Sequence, residues 1–421
     1  MTDKKIKVLT ISDHPLSPSG VGTQTKYMIE ALLKSGKFEV FSMAGAIKHD
    51  QYDAQYVEPY GKDWVIQPVD GYGNPETIRS LVRTYRPDIL WFMTDPRFWE
   101  WLWAMDNEIR SLVPMVYYHV WDNLPLPLYN KKFYESNDFI ATISKVTDGI
   151  VKGVAPDVDS KYIPHAVESQ VFKPLEKEEI SKYKKEFLKD ENKFVIFWNN
   201  RNARRKSTGS LIKWYKTFYD GLSKEEQENV VLLMHTDPSD AYGQDINIIL
   251  KDWGFRGGQV LISQAKVPPE NLAVMYNMAD ITVNVSDAEG FGLATLESLS
   301  CGTPIIVTMT GGLQEQVTDG EEYFGVGIEP CAKAVIGSQQ VPYIYEDRIS
   351  EEDFVGALNK MYRMSQEERD ELGKKGREHV LKNYNFEDFE KTWVNTMVKI
   401  NKDHGSWENR KKYKNWKLLE L

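Results

Sequence analysis

Two glutamates, Glu289 and Glu297, stand eight residues apart in SDAEGFGLATLESLSCGTPIIV, residues 286 to 307. On one unbroken helix that spacing turns them by about 80° and parts them by about 12 Å, too far to act on a single atom. Gly290 and Gly292 interrupt such a helix, so Glu289 is expected to end a strand-to-helix loop and Glu297 to lie in the early turns of a helix LATLESLS. Acids set this way suit an elongated polar ligand touched at both ends. Between them, the amides around Phe291, Gly292 and Leu293 form a helix N-terminus, which attracts phosphate. Taken singly, an acid ahead of a helix serves the dipole and a helical glutamate is ordinarily solvated; the joint arrangement carries the argument.

Three other stretches bear chemistry. SPSGVGTQT offers a second anion site, because Gly20 and Gly22 can present backbone amides and the helix from Thr23 adds its dipole. It fails as a dinucleotide fingerprint, since Thr25 stands where a third glycine belongs. FWNNRNARRKSTG places Arg201, Arg204, Arg205 and Lys206 after a strand, where a guanidinium and a lysine can clamp a diphosphate or simply be solvated. His119, in VYYHVWDN beside Asp122, sits at a strand end that suits a catalytic or sugar-contacting imidazole. No histidine pair has metal-ligand spacing, and Asp157 and Asp159 fall in a turn, so no metal is expected.

These residues need elements to hold them. The first half repeats a β-branched run, a polar turn and a helical pattern: KIKVLTIS, DILWFM, VPMVYY and DFIATIS, the mark of a parallel sheet. KYIPHAVESQVFKP breaks the rhythm, and KFVIFWNN, VVLLMHTD, QVLISQAK, ADITVNVSD and TPIIVTM begin it again. The expected domains are 1–170 and 171–385, followed by a last helical segment, 386–421. Thr282, Asn284 and Ser286 alternate with Ile281, Val283 and Val285, so one face of that strand is expected to look into a cleft. Residues 324–347 read as an elaborated loop. Trp91, Trp99, Trp101 and Trp103 read as core or as a stacking platform for an acceptor.

A length of 421 residues calls for two cores, with a ligand expected in the cleft between them. Net charge is −10, from 52 basic and 62 acidic residues, which disfavours a nucleic-acid affinity spread over the whole surface. The basic aromatic tail, 408–421, reads as a packing helix or a surface anchor. Cys301 and Cys331 are too few for a disulfide framework, and no run of eighteen apolar residues occurs, so a cytoplasmic protein is expected.

EGFGLATLESLSCGTPIIV and the following TGGLQEQV resemble the signature of the retaining nucleotide-sugar transferases of glycosyltransferase family 4, two acids separated by seven residues. YIPHAVESQVFKP is similar to that family's linker, with Ala166 and Glu168 in place of its usual Gly and Asp, and SPSGVG is similar to its N-terminal glycine loop. The resemblance runs along nearly the whole chain and extends to compact phage-encoded members, which would place the protein in a host cytoplasm. It implies the α/β GT-B fold, two Rossmann-like doubly wound domains facing across a cleft, the first on the acceptor side and the second on the donor side, with the last helix, 386–421, crossing back onto the first.

It further implies a nucleoside-diphosphate sugar as co-substrate, no permanently bound cofactor and no required metal. Glu289 would contact sugar hydroxyls and Glu297 the ribose, with Phe291, Gly292, Leu293 and Thr295 completing the donor site. Arg201 and Lys206 would hold the diphosphate, Gly20 and Gly22 its far oxygens, and His119 would face the sugar near its anomeric carbon. The acceptor stays open among a glycan, a lipid-linked sugar and a hydroxymethylated base in DNA. A sugar-nucleotide epimerase or phosphorylase, a nicotinamide oxidoreductase and a non-catalytic sugar-nucleotide-binding module are the competing readings.

Overall fold

The computed structural model describes residues 4–413, so the tail from Lys414 with Trp416 and Lys417 lies outside the described residues. Eight strands form the first sheet: β1 (Ile6–Asp13), β2 (Phe38–Gly45), β3 (Gln55–Val57), β4 (Gly61–Pro68), β5 (Ile89–Thr94), β6 (Met115–His119), β7 (Phe139–Thr142) and β8 (Ser160–Tyr162). Their order is β3-β4-β2-β1-β5-β6-β7-β8, parallel except for the β3–β4 edge pair. Six strands form the second sheet: β9 (Phe194–Asn199), β10 (Val230–His235), β11 (Val260–Ser263), β12 (Ile281–Asn284), β13 (Ile305–Thr308) and β14 (Gly325–Ile328). All are parallel, in the order β11-β10-β9-β12-β13-β14.

In each sheet the winding reverses beside the first strand. β1 pairs with both β2 and β5, Val8 meeting Val40 on one side and Ile89 on the other. β9 likewise pairs with β10 and β12. Loops leaving the carboxyl ends of β1 and β5, and of β9 and β12, therefore diverge and leave a crevice at each reversal, the ordinary ligand position of such sheets.

Two compact units result. One runs to Ala166 and takes in Gly337–Tyr343 and the chain from Glu387; the other holds Val167–Ile336 and Ile344–Phe386. The junction thus falls four residues before the expected end at 170, and 337–343 groups with the first unit, which the sequence reading does not foresee. Within that unit Tyr129 donates to the Tyr343 carbonyl at 3.0 Å. The helix Phe386–His404 packs Trp393 against Trp91 and Tyr118, ring centroids 6.0 and 4.9 Å apart. Arg410 then reaches Asp138 at 2.7 Å.

Two sequence expectations change. The polar face of β12 is buried, because it meets a helix and not an opening: the Ser298 hydroxyl donates to Thr282 at 2.8 Å, and Asn284 is occupied by Ser286. The stretch 324–347 is not a loop but β14 followed by an antiparallel hairpin, β15 (Ala332–Ile336) and β16 (Ile344–Arg348). Trp91, Trp99 and Trp103 are core, Trp101 half-buried, so these rings are no exposed platform.

Candidate active site

The reversal between β9 and β12 brings together the loops that the sequence marks. After β9 the chain makes a short 3-10 turn, Arg204–Lys206, and Ser207 enters the next helix at φ 53°, a left-handed conformation that a serine holds only under constraint. After β12 the loop ends at Gly292, whose φ of 92° opens the helix Leu293–Ser300. A Cβ there would lie 2.5 Å from Leu313, so glycine is required both by conformation and by space. Gly312 has the same kind of reason: a Cβ would meet the Phe291 Cα at 2.6 Å while its amide bonds the Glu289 carbonyl at 3.0 Å.

Lys206 and Glu289 form a buried ion pair, with the Arg205 guanidinium 3.7 Å from the same carboxylate and the Asn284 amide at 3.5 Å. Burial alone would raise Glu289, yet Lys206 and then Arg205 outweigh it and hold the carboxyl at about 2. Glu297 behaves oppositely. It is half-buried, accepts one bond from the Tyr276 hydroxyl at 2.8 Å, and burial pushes it up to about 7. Tyr276 in turn accepts from Asn199 at the end of β9, 2.8 Å away, so a strand end, a tyrosine and the second glutamate form one chain.

That displaced acid sets a pH dependence. Glu297 is raised above its ordinary 4.5, so the folded protein binds more protons than the unfolded chain between about pH 4.5 and 7, and stability falls as pH rises through that window. Glu297→Gln is expected to flatten that fall and to be the more stable protein at pH 8, by up to about 3 kcal/mol. Chemical denaturation at pH 5 and 8 checks it; a wild-type stability that climbs across this interval would contradict it.

Arg201 and Lys206 do not share a partner. Arg201 makes a two-point pair with Asp240, at 2.6 and 3.2 Å, and lies over the Tyr242 ring. Phe291 and Thr295 are turned inward: the ring packs edge-on to Tyr384, and the Thr295 hydroxyl is used by Gln316 at 2.7 Å. Leu293 is half-buried on the first turn. What the sequence reading missed is a set of polar atoms at the same sheet edge. The Thr208, Thr236 and Thr308 hydroxyls and the Asn200 amide are buried and, among the described residues, have no hydrogen-bond partner. Asn200 and Thr236 directly follow β9 and β10, Thr308 ends β13, and Thr208 opens the helix after the Arg204–Lys206 turn; buried polar groups are ordinarily satisfied. Only their position at or after strand ends could have flagged them.

The first unit corrects two expectations. Gly22 does not offer an open amide: it donates to the Ser19 hydroxyl at 2.9 Å, and a Cβ at Gly22 would crowd the His14 carbonyl at 2.7 Å. Ser19 in turn donates to Asp13 at 2.6 Å, and Tyr72 donates to the other Asp13 oxygen at 2.8 Å. Gly20 is exposed at the start of the helix.

His119 is fully buried, not open beside Asp122. Tyr117 gives its proton to the Thr94 carbonyl at 2.6 Å, so His119 Nδ1 donates to Tyr117 at 3.0 Å and Nε2 accepts from Tyr134 at 2.7 Å. Burial pushes the imidazole down to about 3, and it stays neutral. Both ring nitrogens are occupied by tyrosine hydroxyls. The chain pins Thr94, whose φ of 142° is rare for a β-branched residue, at the carboxyl end of β5.

Among the described residues no three His, Cys, Asp or Glu side chains gather as a metal site, and no helix is long and apolar enough to cross a membrane. Residues 256–379 match the family model of the glycosyl transferases, group 1. The second unit carries a group 1 glycosyl transferase segment. It includes Glu289, Glu297 and the hairpin, and leaves out the Arg201–Lys206 loop.

The D-inositol 3-phosphate glycosyltransferase of Paenarthrobacter aurescens is 30% identical over 129 residues, 30% of either protein. The chain therefore spans under a third of that relative's length. Sucrose-phosphate synthase from Thermosynechococcus elongatus superimposes with a TM-score of 0.73 over 94% of this chain and 99% of that one, at 16% identity. HepE of Anabaena, in complex with UDP and glucose, does so with a TM-score of 0.66 over 94% and 100%, at 12% identity. The group 1 segment thus lies in a chain whose fold is that of GT-B proteins, two parallel-sheet α/β domains.

Proposed function

We propose that the chain is a retaining glycosyltransferase that moves a sugar from a nucleoside-diphosphate sugar to a hydroxyl acceptor. The observation that carries this is the buried Lys206–Glu289 pair at the β9/β12 reversal, with its glutamate inside the group 1 segment. A diphosphate satisfies Lys206 in place of Glu289, and the released carboxylate then accepts hydroxyls of the sugar. Donor binding is an exchange of partners, with each charge handed directly to the substrate. Glu297 faces the ribose, and its affinity for ribose hydroxyls rises as it ionises above pH 7.

Departure of the nucleotide builds negative charge on phosphate. Lys206, Arg205 and the amides at the start of the Leu293–Ser300 helix stabilise it electrostatically, and Arg201 assists if it leaves Asp240. No metal is assigned to the step. With His119 neutral and enclosed and the released Glu289 carboxylate taken up by sugar hydroxyls, no side chain among the described residues is assigned as base or nucleophile, which favours front-face substitution with the leaving phosphate taking the acceptor proton. Cytoplasmic location and the absence of a resident cofactor belong to the same reading.

The acceptor belongs to the first unit in this reading. From Asp13 onward, the carboxyl ends of its strands and the loops that follow β1, β2, β4, β5 and β6 carry Asp13, Asp50, Asp53, Asp70, Asp95 and Asp122 against Lys48 and Arg97. Arg97 is already engaged by Asp95. That balance repels a phosphate backbone, so a glycan or other phosphate-free hydroxyl compound is favoured over modified DNA.

Incubation with a panel of nucleotide sugars and neutral glycan acceptors, with chromatography of nucleotide and product, tests the whole reading. Release of nucleotide together with a new glycoside is expected, unchanged in excess EDTA. Binding of a nucleotide sugar without release would leave a binding module. Activity abolished by EDTA and restored by a divalent cation would overturn the metal-free step.

A further inference from the structure

Among the described residues no hydrogen bond or ion pair joins the hairpin β15–β16 to either glutamate of the signature, yet its second strand fastens both loops that carry the ion pair. Glu346, almost fully buried, takes a two-point bond from Arg204, one arm at 2.9 Å, and a further bond from Arg348 at 2.7 Å. Arg348 also pairs with Asp287, and Asp287 accepts from the Ser207 hydroxyl at 2.9 Å. The series Arg204, Glu346, Arg348, Asp287, Ser207 begins and ends on the loop after β9 and encloses Arg205 and Lys206. On the other loop Asp287 is two residues from Glu289.

Backbone bonds tighten the same ring. The Asp347 amide bonds the Asp287 carbonyl at 2.8 Å, and the Asp287 amide bonds the Arg205 carbonyl at 2.8 Å. The Arg205 guanidinium reaches the Ala288 carbonyl at 2.6 Å. The left-handed Ser207 is held in place from its side chain. Solvated pairs on a surface position little, but two nearly buried carboxylates shared among arginines fix geometry closely.

We infer that Glu346 and Arg348 are positioning residues, which act through Arg204 and Asp287 to set Lys206 against Glu289. This rests on the glycosyl-transfer reading above. Loss of the ring leaves the donor-binding residues present and misaligned, so turnover falls more than donor binding does.

The test is a double-mutant cycle in the full chain with UDP-glucose as the first donor probe, or whichever nucleotide sugar the panel shows to be turned over. Glu346→Gln is expected to lower kcat about 10- to 100-fold while donor KM changes less than about threefold. Arg204→Gln, whose side chain is largely exposed, is expected to do the same and serves if Glu346→Gln does not fold. Combined with Lys206→Ala, either substitution is expected to add almost nothing, because the residue it positions is gone.

Glu346→Asp, which keeps the charge, is expected to retain more of the rate than Glu346→Gln. Full multiplication of the effects in the combined variant, or a normal kcat in both single variants, would overturn the positioning role. A wild-type protein that turns over no nucleotide sugar would instead sink the functional reading on which it rests.

Discussion

Lys206→Ala is expected to lower turnover about 100- to 1,000-fold and to destabilise the second unit by about 3 kcal/mol. The two effects share a cause and can be separated. The variant keeps a buried Glu289 balanced by Arg205, 3.7 Å away, and the Asn284 amide at 3.5 Å, and loses the cation offered to the departing phosphate. Glu289 is held near 2, below its ordinary 4.5, so its ionised form stabilises the fold above about pH 4.5 and that contribution is lost as pH falls toward 2. Lys206→Ala is therefore expected to unfold at a higher pH on acid titration than the wild type. Adding Glu289→Gln is expected to restore stability without restoring turnover. Steady-state kinetics in which only donor KM rises would remove Lys206 from the leaving-group step.

Asp138→Ala is expected to cost the first unit about 3 to 5 kcal/mol, measured by denaturant unfolding. Asp138 lies ahead of β7, nearly buried, with Arg110 at 3.2 Å, Arg410 at 2.7 Å and the Met115 amide at 2.9 Å. Burial opposes its charge, but His404, Arg110, Arg410 and the amide more than compensate and keep it well below the usual carboxylate range. Its support for the fold is complete above about pH 4 and disappears on acidification below that. Alanine leaves Arg410 buried without a counter-charge, although carbonyls of Arg110 and His404 still accept from it. A loss under 1 kcal/mol would show that those carbonyls suffice.

The strands were legible where β-branched runs are short and end in glycine or proline turns: KIKVLTIS holds all of β1 but its last residue, and TPIIVTM contains β13. The helix carrying Glu297 was legible for the same kind of reason, since Gly292 marks its start. The hairpin was not. Val335 is apolar yet lies on the exposed face, so the polar–apolar pattern of β15 does not alternate, and the hairpin's value lies in Glu346, 142 residues from the Arg204 it holds.

His119 illustrates the opposite failure. A histidine at a strand end next to an acid reads as reactive, but its environment is decided by Tyr134, on a helix fifteen residues later, and by Tyr117 on its own face of the strand. Spacing reports which residues can share an element; it does not report which hydroxyls will reach a ring nitrogen from elsewhere.

The return of the chain from Glu387 to the first unit has a consequence for synthesis. Trp393 is needed to close the core over Trp91 and Tyr118, and Arg410 to neutralise Asp138, yet both emerge from the ribosome only after the whole second unit has been made. The first unit therefore waits with an open aromatic surface while the second, nearly continuous in sequence, has all its strands available. On the ribosome, the unit that is begun first is the one completed last.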